Sequence, residues 1–301
     1  MIFERIAPEQ HDTLDGVPEP SETPRLVGHG QAATMLASAY RSGKLPHALI
    51  FVGPVGIGKA TLAFHLAHHL LKHPASEQAP EVLAVPDPAS SLFRQIATGA
   101  HPSVLHLTRP PNDKTKSFKT VVTVDEIRKV SRFLSLTSHD GSYRVVIVDP
   151  ADDMNTNAAN ALLKNLEEPP ARTLFILIVH APGSLLPTIR SRCQMVRLTP
   201  LDAESLMRVL ESDVAGAYRL AEAVAGRDQA IQFDIFNRRA LDLLSTGASQ
   251  AALAGDLARA KTLSDTWHEA LNAISETDTY NLDKKQHALT MIDRLNSAMR
   301  M

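Results

Sequence analysis

A single cysteine, Cys193, stands in the 301 residues. It leaves no partner for a disulfide within the chain and excludes a cysteine-based zinc site. There is no excess of either charge: 31 Lys+Arg face 33 Asp+Glu, for a formal net charge of -2. No global positive field therefore drives the chain onto nucleic acid or an anionic membrane, and any DNA contact must be local or shared with partners. Long apolar runs are also lacking, since none approaches the roughly 20 residues a membrane helix needs. The first 25 residues, with Glu4, Asp12, Asp15, Glu19 and Glu22, have neither the basic start nor the apolar stretch of a signal peptide. The expectation is a cytoplasmic protein that is neither exported nor membrane-spanning.

What is present is enough apolar material, 44% of the residues, to bury cores in two or three domains. The opening segment, 1–24, is rich in proline and acid without periodicity and reads as a loosely ordered lead-in. Helical spacing over Gln31 to Arg41 precedes a buried strand, Ala48 to Val52, which ends at a glycine. Leu62, Ala63, Leu66, Ala67, Leu70 and Leu71 then form the stripe of a helix packed on a sheet. Between Pro74 and Pro102 five prolines imply an irregular insertion with at most a short helix around Leu92 to Ala97. Further strands are expected at Val104 to Leu107, Thr120 to Val124, Arg144 to Val148 and Leu174 to Val179. Asp125 is placed to cap a helix through Ile127, Val130, Phe133 and Leu134, and a second helix is expected from Asn157 to Glu167 before Pro169-Pro170. Strands alternating with helices imply an α/β fold with a parallel sheet covered on both faces, and ligands at the carboxyl ends of the strands. From Pro200 onward only helical spacing remains, which puts a boundary at 199/200.

The stretch Gly53-Pro-Val-Gly56-Ile-Gly58-Lys59-Ala60 matches G-x-x-x-x-G-K-S/T everywhere but at its last position. It follows an apolar strand and opens a helix, so backbone N–H groups can cradle phosphates while Lys59 reaches the outer ones. The missing hydroxyl is the one that binds Mg²⁺. Thr61 comes one residue later, and one step along a helix turns a side chain by about 100°, away from the metal position. Asp149, at the end of the strand through Val148, can take the metal side of a second nucleotide element. The position after it is Pro150, which has no group to polarise an attacking water. Asp152 is a conceivable substitute further along. ATP could still be held, with Mg²⁺ accompanying it poorly. His180, at a strand end, is a candidate sensor of phosphate or else a surface group. His65, His69 and His73 recur on one side of a helix and read as a solvent-facing stripe rather than a metal face.

Asn160-Ala-Leu-Leu-Lys-Asn-Leu-Glu-Glu-Pro-Pro170 and Leu185-Leu-Pro-Thr-Ile-Arg-Ser-Arg-Cys193 resemble two signatures of the clamp-loader branch of the AAA+ family. The first also reads as an ordinary amphipathic helix with a proline stop. Asn281-Leu-Asp-Lys-Lys-Gln286 in the helical tail is family-like as well. The resemblance implies a P-loop AAA+ domain at 25–199, a small helical lid at 200–235 and an all-helical collar at 236–301. It also implies a non-catalytic subunit of a DNA-directed DNA polymerase (nucleotidyltransferase) holoenzyme. Members of the delta-prime class combine an intact Ser-Arg-Cys motif with degraded hydrolytic motifs, the combination found here. By the same resemblance Arg192 projects toward ATP bound by a neighbour, as a trans arginine finger. Its other reading is a surface salt bridge. The implied partners are the delta and gamma/tau subunits, with the sliding clamp and primed DNA reached through the complex. No zinc is implied, because the four-cysteine module of many relatives is missing. A second sensor would fall near Arg227 or Asp228. The rival readings are an active gamma/tau-like ATPase using Thr61 and Asp152, and a nucleotide-binding adaptor outside replication.

Overall fold

The computed structural model describes residues 10–11, 13, 18–112, 117–135, 141–200, 230–280 and 282–300. The lid expected at 200–235 therefore lies largely outside the described residues, as do Arg227 and Asp228. The chain divides into two compact units, one ending at Pro200 and the other beginning at Leu201 apart from a few N-terminal residues.

Five parallel strands build the first unit: β1 (Ala48–Val52), β2 (Val104–Leu107), β5 (Arg144–Val148), β6 (Thr173–Val179) and β7 (Gln194–Arg197). Their spatial order is β2-β5-β6-β1-β7, with β3 (Pro111–Asn112) and β4 (Ser117–Phe118) forming a separate two-stranded ribbon. Register runs unbroken from Ala48 opposite Phe175 to Val52 opposite Val179, and from Leu49 opposite Gln194 to Val52 opposite Arg197. The central strands are buried on both faces, as continuous apolar runs require in a covered parallel sheet. Alternation sorts their side chains. Leu49, Phe51, Ile147 and Ile176 face one layer with α1 (Gly30–Arg41), α2 (Lys59–Lys72) and α3 (Ser91–Ala97). Ile50, Val148, Phe175 and Leu177 face the other with α4 (Val124–Ser135) and α5 (Thr156–Glu167). Each such side chain, fully buried, contributes about 1.5–3 kcal/mol.

Several expectations are corrected. Thr120 to Val124 is no strand: Val122 makes one isolated bridge to Met154, and Val124 already opens α4. Asp125 is not the cap but sits in the first turn, where it pairs with Arg128 at 2.5 Å. The lead-in to Pro24 is packed over its last residues, where Pro20–Glu22 form a 3-10 turn with Ser21 buried and donating to the Ala97 carbonyl. The histidines of α2 are not a solvent-facing stripe. His65 is 4% and His69 0% exposed, because the far side of the helix is covered by the strap around Thr23 and by the insertion. His65 Nε2 lies 3.0 Å from the Thr23 carbonyl, and His69 Nδ1 accepts from the Ala84 N–H at 3.0 Å. No group of three or more His, Cys, Asp or Glu among the described residues is placed to hold a metal ion.

The second unit consists, among its described residues, of α7 (Ala230–Leu253), α8 (Leu257–Tyr280) and α9 (Lys284–Arg300). A boundary at 235/236 falls inside α7, which is continuous there. Leu244, Leu263, Ala270 and Leu295 make the seam. One buried imidazole ties the three helices, with His287 Nδ1 2.8 Å from Thr277 Oγ1 and His287 Nε2 3.0 Å from Asn237 Oδ1. Asp283, within the family-like string, accepts from the Gln286 N–H and so caps α9.

Candidate functional site

β1 and its neighbour β6 stand where the connections of the sheet part, β1 leading to β2 on one side and β6 passing β1 to β7 on the other, and the loop that follows β1 is where such a parallel sheet builds its ligand site. Backbone demands fix the loop's composition. A Cβ on Gly53 would overlap the Leu198 carbonyl and lie 2.6 Å from Ile57 Cδ1, so only glycine lets β1 pass the chain leaving β7. Gly58 has φ 93°, a left-handed conformation that glycine adopts without steric cost, and it turns the chain into α2. Lys59 is 3% exposed, and its Nζ donates to the carbonyls of Gly53 at 2.8 Å and Pro54 at 2.6 Å. The ammonium thus curls over the loop, where a phosphate could exchange for those carbonyls. A helix N-terminus with Lys59 at its mouth fits a phosphate group. The donor set for a metal fits poorly, since Ala60 supplies no oxygen and Thr61 is turned one helical step on.

Asp149 directly follows β5, which is separated from β1 by β6, and is half-buried with its N–H on the Leu107 carbonyl at 2.9 Å. Asp152 takes a different role from the one weighed for it. Its Oδ2 accepts the backbone N–H groups of His180 at 3.0 Å and Ala181 at 3.1 Å, and its Oδ1 lies 3.3 Å from His180 Nδ1. Burial alone would raise the Asp152 carboxyl, but the hydrogen bonds from His180 and Ala181 outweigh it and hold its pKa below the usual value. The carboxylate is thereby committed to latching the end of β6. His180 is consequently bound to Asp152 rather than presented alone.

The two signature stretches meet at one ion pair. Glu167 at the end of α5 and Arg192, just beyond α6 (Pro187–Arg190), approach to 2.7 Å, with the side chains 47% and 36% exposed. Arg192 Nη1 also donates to the Thr188 carbonyl at 2.9 Å. Cys193 beside it is half-buried, and burial pushes its thiol up to about 12 against the opposing pull of Arg192. The surface reading of Arg192 is therefore the geometry of the chain by itself, and an exposed pair of this kind contributes only about 0–1 kcal/mol.

The sequence reading missed His29. It stands with φ 57° immediately before α1, and its Nε2 lies 2.6 Å from the Ile57 carbonyl inside the phosphate loop. Its only mark in the sequence is a histidine between two glycines ahead of a helix.

The family model described as DNA polymerase III, delta subunit, matches residues 28–202, more than half of the chain. The chain belongs to that family. Among curated relatives, the DNA polymerase III subunit delta' of Pseudomonas aeruginosa is 39% identical over 186 residues, covering 60% of this chain and 52% of that one. The subunit delta' of Escherichia coli is 30% identical over 229 residues, 73% of this chain and 64% of that one. DNA polymerase III subunit tau of Bacillus subtilis is 30% identical over 289 residues, covering 88% of this chain and 48% of that one. The chain thus spans about half the length of the Pseudomonas aeruginosa delta' and Bacillus subtilis tau subunits, and less than two thirds of the Escherichia coli delta'. The matched segment contains the phosphate loop, Asp149, Asp152 and Arg192, so every site residue of the first unit lies within the family's own extent. Among the described residues no helix is long and apolar enough to cross a membrane.

Proposed function

We propose that this chain is a delta-prime-type subunit of a clamp loader in DNA replication. It would be a structural member of the hetero-oligomeric ring that places the sliding clamp on primed DNA in the cytoplasm. In this reading Arg192 completes the ATP site of a neighbouring gamma/tau subunit, delta is the other partner, and the chain's own site does not hydrolyse ATP. One observation carries the reading. Arg192 is held by a solvent-exposed pair with Glu167 that costs little to exchange, so a neighbour's phosphate, bearing more charge than one carboxylate, can take the guanidinium. A guanidinium offered to a transferring phosphoryl group can raise its rate by roughly 10³ to 10⁵.

The chain's own nucleotide site supports the same division of labour. Lys59 and the loop N–H groups would hold the phosphates of ATP, and Asp149 would stand on the metal side. Bound nucleotide would supply charge at the loop rather than chemistry, because neither Ala60 nor Pro150 offers a group for metal or water. Asp152, tied to His180 and Ala181, is unavailable as a replacement.

The test is ATP hydrolysis stimulated by the clamp in a loader reconstituted with this chain or its Arg192→Ala variant, with turnover by the isolated chain as baseline. An inert isolated chain and a slower but intact variant assembly are expected. Turnover by the isolated chain that Lys59→Ala abolishes, together with an indifferent Arg192→Ala assembly, would show a motor instead. A chain that joins no clamp-loader subunit would point to an adaptor outside replication.

A further inference from the structure

His29 has a left-handed backbone conformation that non-glycine residues seldom adopt, with φ 57° and ψ 21°. Glycines flank it on both sides, Gly28 with φ 74°. Residues held in such conformations are fixed by their surroundings, and here the surroundings are the phosphate loop. The Ile57 carbonyl, 2.6 Å from Nε2, can only accept, so the imidazole carries its proton on Nε2. The ring also lies against Gly58, where an added Cβ would meet Nε2 at 3.7 Å and Cδ2 at 3.9 Å.

The consequence is a matter of peptide geometry. In a trans peptide the carbonyl and the following N–H point in opposite directions. Drawing the Ile57 carbonyl toward His29 therefore turns the Gly58 N–H away from the ring, at the point where α2 presents its first unsatisfied N–H groups. A loop whose peptide flipped the other way would present a carbonyl to an anion, and Lys59 already covers two carbonyls, those of Gly53 and Pro54.

We propose that His29 is a positioning residue of the phosphate loop: its Nε2–H fixes the Ile57–Gly58 peptide so that the Gly58 and Lys59 N–H groups can receive a phosphate of a nucleoside di- or triphosphate. The inference rests on reading the loop as a retained phosphate cradle, and is independent of what Arg192 does. It gives α1 a direct say in whether the loop is set for nucleotide, through one side chain from outside the loop.

The test is calorimetric titration of the full chain with ADP, with and without Mg²⁺, on the wild type, His29→Met and His29→Gln. Methionine keeps length without a donor, while glutamine restores an N–H for the Ile57 carbonyl. Loss of one hydrogen bond that orders the loop should weaken ADP about tenfold in His29→Met, and His29→Gln should recover to within about threefold of wild type. Thermal melts of the ADP-free proteins accompany the titrations. Equal affinity of His29→Met and wild type would overturn the proposal, and so would a His29→Gln chain as weak as His29→Met. A His29→Met chain that loses ADP only because it is unfolded at the assay temperature would make His29 a folding residue, and likewise overturn it. No ADP binding by the wild type would overturn it too, while leaving the ring role, read out through Arg192, standing.

Discussion

Acidification should destabilise the α/β unit through α2 before its carboxylates titrate. His68 and His69 are 3% and 0% exposed. Burial first, then the like charges of Lys72 and of the neighbouring histidines, lowers each imidazole from 6.5 to about 4. His65 is lowered as well, mainly by burial. A depressed folded-state value means that the unfolded chain takes up protons the native chain refuses. The stability due to the neutral rings is thus complete above about pH 6.5 and is lost as pH falls toward 4. Between pH 7 and pH 5 the loss is about 2 kcal/mol for each of the two rings, so at most about 4 kcal/mol together. That is a large part of the 5–15 kcal/mol typical of a domain. The geometry agrees: His69 Nδ1 accepts the Ala84 N–H, so a proton there would turn the clip between α2 and the insertion into a clash of donors. The assay is native-state hydrogen exchange at pH 7 and pH 5, corrected for intrinsic rates, followed on peptides spanning β1 and α2. His68→Leu, which removes one titrating ring whose Nδ1 has no partner among the described residues, should roughly halve the difference. Equal protection at the two pH values, or an undiminished difference in His68→Leu, would refute the reasoning.

Three further outcomes are expected. Gly53→Ala should lower the melting temperature of the α/β unit by an amount equivalent to about 1–3 kcal/mol, because the new Cβ meets the rigid Leu198 carbonyl; calorimetry checks this. Asn237→Ala should destabilise the helical unit by about 1–3 kcal/mol by leaving the buried His287 Nε2 without its acceptor. Trp267, the only tryptophan of the chain, packs in that unit and reports its urea transition by fluorescence. Cys193, with its thiol pushed up to about 12, should resist a thiol reagent at pH 8 in the folded protein and react at once in denaturant.

The parts of the fold legible in the sequence are those where burial alone dictates residue type. β1, β5 and β6 lie between two helical layers, so every position after the opening Arg144 of β5 and Thr173 of β6 is apolar and the runs stand out. β7 went unseen for the opposite reason: at the sheet edge Gln194 and Arg197 are exposed and only Val196 is buried, which leaves no pattern. The run from Thr120 is β-branched enough to imitate a strand, yet among the described residues it makes only the single bridge at Val122. On α2 the leucine stripe correctly marks the face toward the sheet. The histidines opposite read as a wet face, because nothing in the sequence says that the insertion folds back over them. The phosphate loop was legible because its glycines answer local demands. His29 was not, because its partner Ile57 is distant in sequence and the contact is made through a backbone carbonyl.

A loop with alanine where its motif has serine or threonine still keeps a tight shape, and the contacts around it give a physical reason. Gly53 is pressed against the carbonyl of Leu198, whose N–H returns to Val52 at 2.8 Å, so the loop's first residue is part of the junction between β1 and β7. His29 joins its middle to α1, and Lys59 closes it with two hydrogen bonds to its own backbone. Losing the hydroxyl at position 60 or the acid at position 150 disturbs none of these contacts, since neither position supplies one of them. Losing Gly53, by contrast, would strain the sheet junction. Selection on folding alone would therefore preserve the glycines while leaving the hydrolytic positions free to drift, provided that catalysis is supplied by another subunit. Lys59 and His29 separate the two cases. A measurable ADP affinity that is lost in folded variants of both would mean that the phosphate cradle is kept for binding, and no ADP affinity in the wild type would mean that it is kept as a strut.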